Sequence, residues 1–186
     1  MSGSEDKQVK VWDIEKASNV FSIACGRSVK VVKTNTVEPV VYTGHGDGSL
    51  RIYSLSQGNA PVSQIKGLID YPISSITIVS DNRYQILVSS LEGSSCHLLD
   101  MKMNKSIAKF EHKDFFNSST QTCFSPSEAF VLAGNCDGSI YYWDRFKLDM
   151  VKKVSGHDGA ITAINYNFMS SLLASADKEG SLIIWQ

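Results

Sequence analysis

The chain has 186 residues, 42% of them hydrophobic and 20% charged, which excludes an intrinsically disordered polymer. Lys plus Arg number 18 against 19 Asp plus Glu, so no global field draws the chain to nucleic acid or to an anionic membrane. No apolar run approaches the roughly 18 residues of a membrane-spanning helix, and the polar start from Met1 to Lys7 reads as neither a signal nor a transit peptide.

A repeat runs through the chain. Five segments superimpose, each a strand, a tight turn and a second strand closing on a large residue: Trp12, Tyr53, Leu99, Trp143 and Trp185. The separations of these anchors are 41, 46, 44 and 42 residues, a period typical of four-stranded propeller blades. In chain order, the first hairpin runs from Ser2 to Asp13, followed by an outer strand from Asn19 to Ala24 and an inner strand from Val29 to Lys33. The second hairpin, Val41 to Tyr53, turns at Asp47-Gly48, and strands from Val62 to Lys66 and Ile73 to Val79 follow it. Leu87 to Leu99 forms the third, with strands from Ser106 to Phe110 and Thr120 to Phe124 behind it. The fourth, Val131 to Trp143, turns at Asp137-Gly138 and leads into Met150 to Val154 and Ala160 to Tyr166. The last, Leu173 to Trp185, turns at Glu179-Gly180. Glycine supplies the positive φ of a tight reversal, and the flanking runs are short and rich in Val, Ile, Leu and Tyr, as strands are. No segment carries a helical stripe, so the expected fold is all-β.

At Trp12-Asp13, Trp143-Asp144 and Gly156-His157 the chain resembles the WD40 repeat family. The resemblance implies one domain over residues 1–186, with blades ending near 13/24, 54/66, 100/110, 144/154 and 186. That is a partial WD40 β-propeller of about four and a half blades, against an expected seven. The chain starts and stops inside a blade, so the expectation is the C-terminal part of a longer protein, with self-association of open blade edges as the alternative. In this family a His, a Ser or Thr, an Asp and a Trp form a hydrogen-bonded ladder across a blade. The matching positions are Thr43 and Asp47 in the second blade, Ser89 in the third, Asp137 and Trp143 in the fourth, and His157, Ser175, Glu179 and Trp185 in the fifth.

The order of repeats is similar to one WD40 family, the propeller-bearing form of autophagy-related protein 16. The likeness lies in Thr43 to Asp47, Leu98 to Asp100, Ser106 to Phe110, the aromatic link after Phe115, Phe124 to Pro126, Gly138 to Trp143, and the close from Ala176 to Trp185. It implies a cytoplasmic scaffold recruited to autophagosome precursor membranes, supporting autophagosome assembly and lipid conjugation of a ubiquitin-like autophagy protein. Its partners would be the conjugation complex or membrane receptors. A WD40 adaptor of another pathway, a ubiquitin-ligase substrate receptor or ribonucleoprotein subunit, is the alternative.

No catalytic, metal or cofactor residues are expected. His45, His97, His112 and His157 lie at no ligand spacing, and GxSxG and phosphate-loop motifs are absent. A propeller enzyme would need paired ionisable groups facing its channel. The cysteines, Cys25, Cys96, Cys123 and Cys136, read as reduced and buried. Tyr71, Phe115 and Phe116 sit in inter-blade links and read either as plugs between blades or as exposed protein-binding anchors. Arg145, Lys147, Lys152 and Lys153 form a basic cluster, either a solvated outer strand or a contact with anionic lipid.

Overall fold

In the computed structural model, residues 1–186 are described except 36, 37, 57–59, 68, 81, 83, 92 and 117–120. The expected start of an inner strand at Thr120 lies outside the described residues. Among those described there are eighteen strands in five antiparallel sheets, and no helix.

Blade one holds β1 (Ser2–Gly3), β2 (Gln8–Asp13) and β3 (Ser18–Ala24); blade two holds β4 (Val29–Thr34), β5 (Val40–His45), β6 (Leu50–Ser54) and β7 (Pro61–Ile65). Blade three holds β8 (Ile73–Ile78), β9 (Gln85–Ser90), β10 (Ser95–Asp100) and β11 (Lys105–Glu111). Blade four holds β12 (Thr122–Phe124), β13 (Phe130–Gly134), β14 (Ser139–Asp144) and β15 (Met150–Ser155), and blade five β16 (Ile161–Asn167), β17 (Leu172–Asp177) and β18 (Leu182–Trp185). Within each sheet the strands lie in chain order, and the inner strands β4, β8, β12 and β16 meet around a common axis.

Each pair of neighbouring blades encloses an apolar layer. Tyr53 packs on Val9 and Ile23 between blades one and two. Leu50, Ile73, Ile86 and Leu99 fill the next gap, Leu98, Phe110, Val131 and Trp143 the third, and Leu132, Ile140, Ile161 and Leu173 the last. Strands covered on both faces therefore need no polar side, and β9 reads Ile86-Leu87-Val88 without alternation.

A bulge marks the anchor in four blades. Register against the outer strand shifts between Val11 and Trp12, Ile52 and Tyr53, Leu98 and Leu99, and Tyr142 and Trp143. Strands alternate in direction, so the turns joining second to third strands share one end of the arc with the links between blades. The turns joining inner to second strands and third to outer strands share the opposite end.

Candidate interaction surface

The hydrogen-bonded ladder is complete in blade five. Trp185 Nε1 donates to Ser175 Oγ at 2.7 Å, Ser175 Oγ lies 2.6 Å from His157 Nε2, and His157 Nδ1 lies 2.8 Å from Asp177 Oδ2. Indole is only a donor, so the serine spends its single proton on Nε2, and Nδ1–H faces the carboxylate. Asp177 also accepts the Ser181 and Glu179 backbone N–H groups. Those backbone bonds, Ser181 first, and the His157 contact hold its carboxyl below the ordinary aspartate value.

This corrects the assignment of Glu179. Asp177 ends β17 and pairs with Ile161, facing the histidine, whereas Glu179 is exposed at the turn tip. The same register moves two other acids out of the ladder. The position of Asp177 is held by His45 in blade two and Asn135 in blade four. Asp47 instead caps its turn through the Ser49 N–H and hydroxyl, at 3.1 and 2.6 Å, and faces Arg27 and Arg51. Asp137 accepts the Ser139 N–H and the Lys153 ammonium, at 3.0 and 2.7 Å.

Blade two builds a shorter version. Thr43 Oγ1 lies 2.8 Å from His45 Nε2, with His45 Nδ1 3.2 Å from the Ser28 carbonyl. Burial, then the Arg51 charge, lowers the His45 pKa, keeping this ring neutral. In blade four Ala133 offers no hydroxyl, and the buried Trp143 donates to the Glu111 carbonyl at 3.3 Å.

Ser89 does not occupy the ladder position of blade three. The residue equivalent to Ser175 is Val88, which pairs with His97 as Ser175 pairs with Ile183. Ser89 faces the opposite side and meets Ser74 Oγ at 3.2 Å. The hairpin loop holds one residue more than in blade four, so counting back from Leu99 slips the strand by one and reverses its faces. Sequence reasoning also missed Ser2, which accepts the Trp12 indole N–H at 2.9 Å. The signal was present: Ser2 precedes Trp12 by the same ten residues that separate Ser175 from Trp185.

The link aromatics divide. Phe115 is 2% exposed, edge-on to Trp143 at 4.9 Å and 5.5 Å from Tyr141, so it plugs the gap between blades three and four and is not a binding anchor. Phe116 and Tyr71 are about half exposed, on the links that enter blades four and three. Phe116 is held by its N–H to Asn135 Oδ1 at 2.6 Å and by the Cys136 N–H on its carbonyl. Tyr71 lies beside the Asp47-Gly48 turn. Both therefore stand on the hairpin-turn end of the arc.

The basic cluster also divides. Arg145 is buried, 3.4 Å from Glu128 and 3.0 Å from Gln85, and ties blade four to blade three. Lys153 pairs with Asp137, which raises its pKa. Lys147 and Lys152 stay exposed. All four cysteines are free. Cys25, Cys96 and Cys123 are buried as expected, but Cys136 is exposed at its turn.

Along the axis, a cleft of about 330 Å³ is lined by inner-strand residues such as Val31, Lys33, Ser75, Thr77, Thr122 and Cys123. Burial pushes the Cys123 thiol up to about 12, away from thiolate chemistry. Among the described residues, no three His, Cys, Asp or Glu side chains converge as a metal site.

Residues 104–144 and 148–186 match the family model described as WD domain, G-beta repeat. Protein tipD of Dictyostelium discoideum is 27% identical across the whole chain, which spans 31% of that protein. Autophagy-related protein 16 of Arabidopsis thaliana is 24% identical, again across the whole chain, which spans 36% of its length. Serine-threonine kinase receptor-associated protein of Bos taurus is 25% identical, with 100% of this chain and 62% of that protein covered. The chain thus spans about a third of the first two relatives. The WD40 β-propeller domain of Doa1 superposes with a TM-score of 0.83 over 99% of this chain and 59% of that one, at 16% identity. Residues 104–144 and 148–186 carry WD40 repeats, and the described residues fold as five consecutive blades like those of a WD40 β-propeller.

Proposed function

We propose that the chain is the propeller of an autophagy scaffold, a non-catalytic binding platform that supports autophagosome assembly and lipid conjugation of a ubiquitin-like protein. It would act in the cytoplasm and be recruited to autophagosome precursor membranes. The observation that carries the platform reading is the pair Tyr71 and Phe116. Both are half-exposed aromatics at one end of the arc, and the Phe116 backbone is fixed from behind by the buried Asn135 amide. Exposed aromatics on rigid supports are the side chains that dominate protein interfaces. The autophagy assignment is supported by similarity to autophagy-related protein 16 along the full chain, and by Protein Atg16l2 of Homo sapiens, 26% identical over 61% of it. A second reading, an adaptor of another pathway, is favoured by the comparable identity, 25% against 24%, to serine-threonine kinase receptor-associated protein.

Co-precipitation of the full-length gene product with the autophagy conjugation complex separates the two. The expected result is recovery of the complex, weakened in the double variant Tyr71→Ser, Phe116→Ser. Recovery of a different assembly and none of the conjugation complex would establish the second reading.

A further inference from the structure

The end of the arc opposite Tyr71 and Phe116 is built by one repeated device. The aspartate that closes the third strand turns back onto the chain. Asp13 accepts the Lys16 N–H at 3.1 Å. Asp100 accepts those of Lys102 and Met103 at 2.8 and 3.0 Å. Asp144 accepts those of Phe146 and Lys147, both at 2.9 Å. Each turn then ends on a positive-φ residue four places after the aspartate: Ala17, Asn104 and Leu148. In blade five Asn167 does the same for Met169 and Ser170, with Ser171 at positive φ.

The device holds apolar side chains out into solvent. Phe146 is 76% exposed, and Ile14, Met103 and Met169 are exposed as well. Lys16 stands exposed in the turn of Ile14, Lys102 and Lys105 beside Met103, and Lys147 beside Phe146. The carboxylates of this end are mostly engaged. Asp13, Asp100 and Asp144 serve the turns, with Lys16 also 3.7 Å from Asp13; Glu128 pairs with Arg145, and Glu38 accepts the Tyr84 hydroxyl. Among the described residues of these turns, Glu15 and Asp149 are the remaining acids, and both are exposed. Met103 and Phe146 belong to blades three and four, each flanked on both sides within this chain, so their exposure is independent of anything packed beyond blades one and five.

We infer that this end docks on an anionic lipid surface. Apolar tips on separate turns, three of the four next to a lysine, suit a planar and deformable partner: the tips enter the headgroup boundary while the ammonium groups meet lipid phosphates and carboxylates. The inference stands whether or not the autophagy assignment does, and its readout contains no protein partner.

The full chain is sedimented with phosphatidylcholine vesicles, with and without phosphatidylserine. Binding is expected with phosphatidylserine only, and weakening with added salt. Lys102→Glu with Lys147→Glu should cut it by roughly fivefold or more per residue. Phe146→Ser with Met103→Ser should cut it several-fold at an unchanged melting temperature, because both side chains are exposed. Tyr71→Ser with Phe116→Ser, at the other end, should leave it intact. No binding to phosphatidylserine vesicles, or binding indifferent to the lysine and apolar pairs, overturns the inference, and so does loss only on changing Tyr71 and Phe116.

Discussion

The inner blade interfaces and the two outermost blade faces use the same residue positions with opposite burial. Trp143, facing blade three, is 0% exposed, while Trp12, at the same register position in blade one, is 45% exposed. On the other side of the sheet, Ile140 in blade four is 0% exposed and its counterpart Leu182 in blade five is 70% exposed. Local sequence makes the blade, but only a neighbouring blade makes the side chain part of a core. Stability in such a stack is close to a sum of blade terms and nearest-neighbour interface terms.

The largest test of that contrast is the tryptophan pair. Trp143→Ala removes an indole enclosed by Phe115 and Tyr141 and should cost about 4 kcal/mol. Trp12→Ala loses one exposed hydrogen bond and partial packing, and should cost about 1 kcal/mol. Urea denaturation of the two variants measures both. Equal costs would break the comparison.

Next come the hairpin glycines. Gly138 and Gly180 both sit at positive φ, 78° and 90°. A Cβ at Gly138 would run into the His157 carbonyl oxygen of the link entering blade five, whereas one at Gly180 meets nothing within 4 Å. Gly138→Ala combines backbone strain with a clash that must shift the link, and should cost about 3 kcal/mol; Gly180→Ala carries strain alone, about 1 kcal/mol. Thermal melting ranks them.

These pairs show what was legible in the sequence. The period, the strand order and the tight turns could be read because Gly after an acid and a large closing residue recur at nearly constant spacing. Register within a hairpin could not. The loop between Ser90 and Ser95 can be counted from either strand, and one extra residue moved the ladder position from Ser89 to Val88. The same ambiguity separated Glu179 from Asp177, since both acids lie near the turn and only strand pairing decides which faces His157. Phe115 and Phe116 are chemically equivalent neighbours; which ring enters the gap follows from the Asn135 amide pinning the Phe116 backbone, a contact 19 residues away in the chain. Arg145 read as surface charge because its partner Gln85 is 60 residues distant.

The ladder gives a smaller, pH-resolved contrast. Asp177 has a folded-state pKa held below the ordinary value, chiefly by the Ser181 N–H. Its contribution is therefore complete above the unfolded carboxylate pKa of about 4 and is lost as pH falls through the lower folded value. Asp177→Asn removes that dependence, so melting temperature against pH should lose part of its acid-side slope. Asn135, an amide at the same position in blade four, does not titrate, but after Lys153 it helps hold the Asp137 carboxyl below its ordinary value, so Asn135→Ala should cost more above the carboxylate pKa than below it.

The smallest expected effect is at the last blade face. Leu182→Ser should change stability by less than about 0.5 kcal/mol, because the side chain is already in solvent. Ile140→Ser, at the matching position, strips an apolar group from the layer it forms with Ile161 and Leu173 and should cost about 3 kcal/mol. Denaturation at two protein concentrations makes the comparison sharp. If Leu182→Ser costs nearly as much as Ile140→Ser, and more at the higher concentration, the face is covered in solution by a second molecule, and the nearest-neighbour rule then extends across chains. If Leu182→Ser is neutral at both concentrations, no second copy of the chain covers this face of blade five.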